Sequence, residues 1–136
     1  MIQEQQMLSD KLAIQELNYR YFWAVDSNDE DAYISTWMSD GISEAVYGSV
    51  NGHDQLRARF RNMQAGLSKN KRHFVGNLVI TIEGNKAQQQ CYLLVVERAD
   101  EPAVISTAVY HDELERIATG WKFSKRSIQI DPSWKQ

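Results

Sequence analysis

Arg72-His73-Phe74-Val75-Gly76-Asn77 opens the most apolar run of the chain. From position 74 to 82 the run carries Val75, Leu78, Val79, Ile80 and Ile82, a β-branched composition that fits a buried strand. A histidine at the mouth of such a strand is either capped by a backbone carbonyl or placed to move protons. The segments upstream can serve as lid, wall and carboxylate partner to that histidine, and those downstream as the sheet that holds it.

Downstream, residues 74–82 meet residues 87–97 across Glu83-Gly84-Asn85-Lys86, a hairpin signal. Residues 103–117 form a long strand, Thr119-Gly120 a tight turn, and residues 121–130 the last strand; Asp131-Pro132 closes the regular structure and leaves a short tail. Upstream, Ser9 is a good N-cap and Asp10 puts negative charge in a first turn. A helix to about residue 25 then carries Leu12, Ile14, Leu17, Tyr21 and Val25 and ends in Tyr19, Tyr21, Phe22, Trp23 and Asp26. Tyrosines and an aspartate among these aromatics suggest a wall shared by core and cavity. Ser27-Asn28-Asp29 breaks the chain, and residues 30–38 read as a second helix burying Tyr33, Ile34 and Trp37. Residues 42–47 alternate as a strand and residues 48–52 turn. Asp54 caps a third helix to about residue 67, with Leu56, Phe60 and Met63 on one face, and residues 68–71 connect. Three helices followed by long antiparallel strands define an α+β fold. Strands bent at Gly66, Gly76, Gly84 and Gly120 would curl, giving a cone-shaped α+β barrel with helices across a strongly curved, mostly antiparallel sheet and a pocket inside.

The 136 residues suit one domain, 1–136, with one core, and 43% hydrophobic with 24% charged residues is an ordinary globular composition. A net charge of -3 offers no footprint for nucleic acid. Arg57, Arg59, Arg61, Lys69, Lys71 and Arg72 cluster on a helix and loop, where a solvated face is expected. Cys91 alone makes neither a disulfide framework nor a thiolate metal site and reads as a small buried hydrophobe. The first residues lack a charged-then-apolar signal pattern, and no apolar run nears membrane-spanning length, so a cytoplasmic protein without membrane contact is expected.

The order of the local motifs carries a resemblance. They are Tyr21-Phe22-Trp23-Ala24-Val25-Asp26, Asp31-Ala32-Tyr33, Asn51-Gly52-His53-Asp54, Arg72-His73-Phe74 with Asn77, residues 110–116, and Gly120-Trp121-Lys122-Phe123 leading to Arg126. Together the chain resembles the SnoaL-like branch of the nuclear transport factor 2-like superfamily. That resemblance implies a cone with a deep apolar pocket for a small hydrophobic molecule, in a homodimer or homotrimer. Its relatives include scytalone dehydratase, the bile-acid 7α-dehydratases, a hexachlorocyclohexane dehydrochlorinase and polyketide cyclases, many of which eliminate or isomerise without metal or cofactor. In the eliminating relatives an aspartate ending the first helix orients a strand histidine that acts as base; Asp26 and His73 match those positions. Tyr21 matches a tyrosine of the bile-acid dehydratases, and His111 falls near a second pocket histidine of scytalone dehydratase.

The chemistry fits these residue types. A carboxylate on one ring nitrogen fixes the tautomer and stabilises the imidazolium formed when the other takes a proton. The bland alternatives are a backbone-bonded His73 and a turn-forming Asp26, the latter an acid set against the negative end of its helix. Residues five apart on a helix diverge by roughly 140°, so Tyr19 and Phe22 share the face of Asp26 and Tyr21 does not. Either the helix distorts at its end and Tyr21 is the pocket phenol, as acid or carbonyl holder, or Tyr19 is that phenol, or Tyr21 is only core. Trp23 and Phe74 are expected to line the pocket. Arg126 either anchors an anionic substrate group or is a solvated strand charge, His111 is surface or interface, and His53 is structural. No metal-ligand spacing links His73, His111 and Asp26. The expected function is a cofactor-independent lyase or isomerase of a small, cyclic, hydrophobic substrate. The alternatives are a non-catalytic binding module and an accessory subunit resembling the β subunit of ring-hydroxylating dioxygenases.

Overall fold

The computed structural model describes residues 2–67 and 69–132. Helices α1 (Ile2–Ser27) and α2 (Glu30–Ile34) come first, then strands β1 (Trp37–Ala45) and β2 (Gly48–Asn51), then helix α3 (His53–Gly66). Four strands complete the chain: β3 (Lys71–Glu83), β4 (Lys86–Glu97), β5 (Ala103–Ile117) and β6 (Gly120–Ile130). They form one sheet in the order β2-β1-β6-β5-β4-β3. Four of the pairings are antiparallel and β1–β6 is parallel. The sheet does not close: β2 and β3 are its edges, and α1 packs against β3 and β6.

Burial follows the periods of the elements. Strand β4 sends Ala87, Gln89, Cys91, Leu93 and Val95 inward and the intervening residues outward, the alternation of a sheet wet on one face. Helix α1 answers with Ile14, Leu17, Asn18, Tyr21, Phe22 and Val25, a stripe of spacing three and four. Leu56 and Phe60 of α3 and Leu114, Trp121 and Phe123 of β5 and β6 join the same buried core, each burial contributing about 1.5–3 kcal/mol.

Several boundaries differ from the sequence expectation. No Gly or Pro interrupts the first 26 residues after Met1, so α1 starts at Ile2 and Ser9 is interior to it. Asp10 is buried and accepts bonds from Gln6, Trp121 Nε1 and Arg116, which bolts the helix to the β5–β6 hairpin. Leu12, expected inside, is 60% exposed, because its angular position falls off the Ile14 stripe. The second helix stops at Ile34: the Phe123 N–H takes the Thr36 carbonyl at 2.8 Å, and Trp37 pairs with Phe123 as the start of β1. Residues expected to turn form the short strand β2, and the turn falls at Val46-Tyr47. Gly52, not Asp54, is the N-cap of α3, at φ 87°. Gly66 closes α3 rather than bending a strand. The bend in β3 comes at a register shift between Gly76 and Val79, where Asn77 is left-handed at φ 52°.

The basic cluster is not simply solvated. Arg57 and Arg61 bridge α3 to Glu30 of α2, and Arg59 donates to the carbonyls of Ser43 and Gly48 on β1 and β2. His53 is structural as expected: its Nε2 lies 3.2 Å from the Trp37 carbonyl. Cys91 is buried, which pushes its thiol up to about 11 against the smaller opposing pull of Arg126. Ser68 of the expected connector and the tail beyond Pro132 lie outside the described residues. Among those described, no helix is long and apolar enough to cross a membrane, and no three His, Cys, Asp or Glu side chains cluster as metal ligands.

Candidate active site

The end of α1 is where sequence, backbone and site meet. Asn28 takes the left-handed conformation at φ 54°, its N–H bonds the Val25 carbonyl, and the Asp29 N–H reaches back to Ala24 at 2.9 Å. This is the double bond of a Schellman stop, with asparagine tolerating the position glycine usually fills. The Asp29 side chain then caps α2 through the Ala32 N–H at 3.1 Å. One residue triplet thus ends one helix and starts the next, and it holds Asp26 in the last turn of α1 facing β3.

Asp26 grips His73 twice. Oδ1 lies 2.6 Å from His73 Nδ1, and Oδ2 accepts the His73 backbone N–H at 3.1 Å. The two side chains are only 13% and 9% exposed, so the pair is little screened. With Nδ1–H donating to the carboxylate, the neutral ring keeps its lone pair on Nε2, and no described residue bonds that nitrogen. The ring lies parallel to Phe22, centroids 6.0 Å apart and planes 12° from coincidence, which sets its tilt.

A cavity of about 570 Å³ adjoins the pair, lined by Tyr19, Phe22, Trp23, Asp26 and Ser27 of α1 and by Arg72, His73, Phe74 and Val75 of β3. That volume suits a small organic molecule. Tyr19, Phe22, Trp23 and Asp26 fall at i, i+3, i+4 and i+7, one face of a helix. The rim is open: Trp23 is 76% exposed and Phe74 56%. Neither plugs the cavity.

The structure does not bring every expected residue here. Tyr21 is outside the cavity lining, since its helix position turns it into the core against Phe22, Tyr33, Trp37 and Phe123. Its hydroxyl lies 3.5 Å from that of Tyr33, and burial raises its phenol well above the usual range. Tyr19, the other phenol considered, lines the cavity. His111 is exposed on the outer face of the sheet, in a separate depression with Gln90, Lys125 and Ser127.

Arg126 is neither solvated nor at the cavity. It is fully buried and holds Asp112 with two bonds, Nε to Oδ1 at 2.9 Å and Nη2 to Oδ2 at 3.1 Å. Asn18 and Gln89 join the network, Arg126 Nη1 is left without a partner among the described residues, and the guanidinium carbon sits 4.0–5.5 Å from the ring centroids of Tyr21, Phe22, Tyr110 and Phe123. Burial works against its charge, but Asp112 and the other neighbours outweigh that and raise its pKa. Arg72, Ser27 and Val75, which the sequence reading did not assign to the site, line the cavity. The signal for Arg72 was its place beside His73, hidden within the run of basic residues.

Three helices on an open, mixed six-stranded sheet make the cystatin-like, nuclear transport factor 2-like α+β cone. Residues 6–127 match the profile of the SnoaL-like domain, and the chain belongs to that family. A protein of unknown function with a cystatin-like fold from Nostoc punctiforme is 32% identical, with TM-score 0.86 over 93% of this chain and 94% of that one. A nuclear transport factor 2-like protein from Novosphingobium aromaticivorans, 24% identical, also gives TM-score 0.86, over 98% and 90% of the two chains. A hexachlorocyclohexane dehydrochlorinase, LinA type 2, is 23% identical with TM-score 0.82 over 95% and 90%. The two identities below 25% carry the fold alone. No curated protein matches the sequence.

Proposed function

We propose that the protein is a cofactor-independent lyase or isomerase acting on a small, cyclic, largely apolar substrate at the Asp26–His73 cavity. The observation that carries this is the 2.6 Å contact of Asp26 with Nδ1, which leaves Nε2 as the basic nitrogen beside a cavity of substrate size. His73 Nε2 takes a proton from a carbon next to an activating group. The C–H electrons form the new double bond, and the leaving group departs with the electrons of its own bond. Asp26 stabilises the imidazolium through Nδ1–H, and apolar walls strengthen that pairing. Where water is the leaving group, the Tyr19 hydroxyl is the phenol available to protonate it; where the reaction is an isomerisation, it holds a carbonyl. Likeness to the fold of a dehydrochlorinase is in keeping with this chemistry.

The test is a panel of cyclic alcohols, ketones and halides incubated with the wild type and His73→Gln, followed by mass spectrometry. Elimination or isomerisation lost in His73→Gln supports the reading, and equal turnover by both proteins sinks it. A second reading, a non-catalytic binding module, is favoured by the bond from Asp26 to the His73 backbone, which is structural in kind. Saturable binding of panel members without conversion would select that reading.

A further inference from the structure

We propose that the ligand of the Asp26–His73 cavity is a cyclic carboxylic acid whose carboxylate is held by Arg72. This rests on the reading of that cavity as the ligand site and adds the charge of the ligand to it.

The described arginines are mostly engaged. Arg57, Arg61, Arg116 and Arg126 each meet a carboxylate, and Arg59 serves two carbonyls and lies over the Tyr47 ring. Arg72 differs. Its one bond is from Nη1 to the carbonyl of the preceding Lys71 at 3.1 Å, and it meets no carboxylate among the described residues. It lines the cavity beside the Asp26–His73 pair. The only acid in that lining is Asp26, and both of its oxygens are occupied by His73. Arg72 is the one lysine or arginine in the lining, and the one carboxylate there is engaged by His73 rather than by Arg72.

A guanidinium with free N–H groups matches a planar carboxylate in a two-bond fork, a geometry a lysine could not offer. The remaining walls, Tyr19, Phe22, Trp23 and Phe74, present aromatic surface to a ring. An apolar ring bearing one carboxylate satisfies both features. A phosphate would ask for more donors, and the lining supplies no second lysine or arginine.

The test is titration of the full chain with 2-naphthoate and with the isosteric, uncharged 2-naphthamide by calorimetry at low salt. Nuclear magnetic resonance shifts at Tyr19, Trp23 and Phe74 locate the bound probe. The wild type is expected to prefer the carboxylate about tenfold, the worth of one charge-assisted contact. Arg72→Gln should remove that preference and Arg72→Lys should keep part of it. Equal affinity of the wild type for the two probes overturns the role of Arg72 and leaves the cavity reading standing. So does a preference that survives in Arg72→Gln. Binding of neither probe, or binding that does not shift the three cavity residues, overturns the cavity reading and this inference with it.

Discussion

Two acid–base pairs lie within the same half of this molecule, and their surroundings differ. Asp112–Arg126 has no exposed surface, is bonded by Asn18 and Gln89 with Arg126 Nη1 left unpartnered among the described residues, and is enclosed by four aromatic rings. Asp26–His73 sits at the sheet edge with one ring nitrogen unbonded and a cavity alongside. Phe22 stands between them, parallel to the His73 ring and 5.5 Å from the Arg126 guanidinium. A charge pair closed on all sides can hold a core in register but cannot meet a substrate. One left open on a single atom can.

The largest effect should come from the closed pair. Arg126→Met strands a buried carboxylate and is expected to lower the unfolding free energy by about 3–5 kcal/mol in urea, whereas adding Asp112→Leu should recover most of the loss. A double variant as unstable as the single one would break the account of mutual compensation. At the open pair the effects should divide. Asp26→Ala removes two bonds to a charged acceptor and is expected to cost about 2–3 kcal/mol. His73→Gln should abolish turnover yet change the unfolding free energy by no more than ~1 kcal/mol. Should His73→Gln destabilise as much as Arg126→Met, the two pairs would be alike and both structural.

Cys91 sharpens the same contrast from the core side. Its folded-state thiol titrates near 11, above its ordinary value, so folding is favoured fully below that ordinary value and loses this contribution as pH rises toward 11. The urea midpoint should fall over that interval in the wild type and less in Cys91→Ala. Iodoacetamide at pH 8 should label the thiol only after unfolding. The smallest effect is expected at the surface pair. Arg61 first, then Arg57, holds the Glu30 carboxyl below the usual range. The resulting stability is present above the ordinary carboxylate value and is lost as pH falls through the lowered one. Glu30→Gln should shift the urea midpoint slightly at pH 7, less in high salt, and not at all once the wild-type carboxyl is protonated.

Much of this was legible from residues. The α+β class followed from helix-period and strand-period segments, and β4 shows the alternation on which such reading depends. The face shared by Tyr19, Phe22 and Asp26 followed from helical angles alone. Asp26 and His73 were found through their likeness to a family, since neither position announces its partner across 47 residues. What stayed hidden needed register. Arg126 lies opposite Asp112 only once β5 and β6 are paired, so a strand charge beside Lys125 looked solvated. Trp37 fits a helix until β6 captures it in parallel with β1. Arg72 belonged to a basic run until β3 proved to be the outermost strand beside α1.

The double grip of Asp26 has a further consequence. β3 ends the sheet, and an outermost strand offers unpaired backbone groups to any other extended chain. At His73 that offer is withdrawn, because the outward N–H is already bonded to the carboxylate of the helix beside it. The acid that orients the histidine also blocks the border of the sheet, so a variant without it exposes a template for aggregation at the place where the chemistry would be lost.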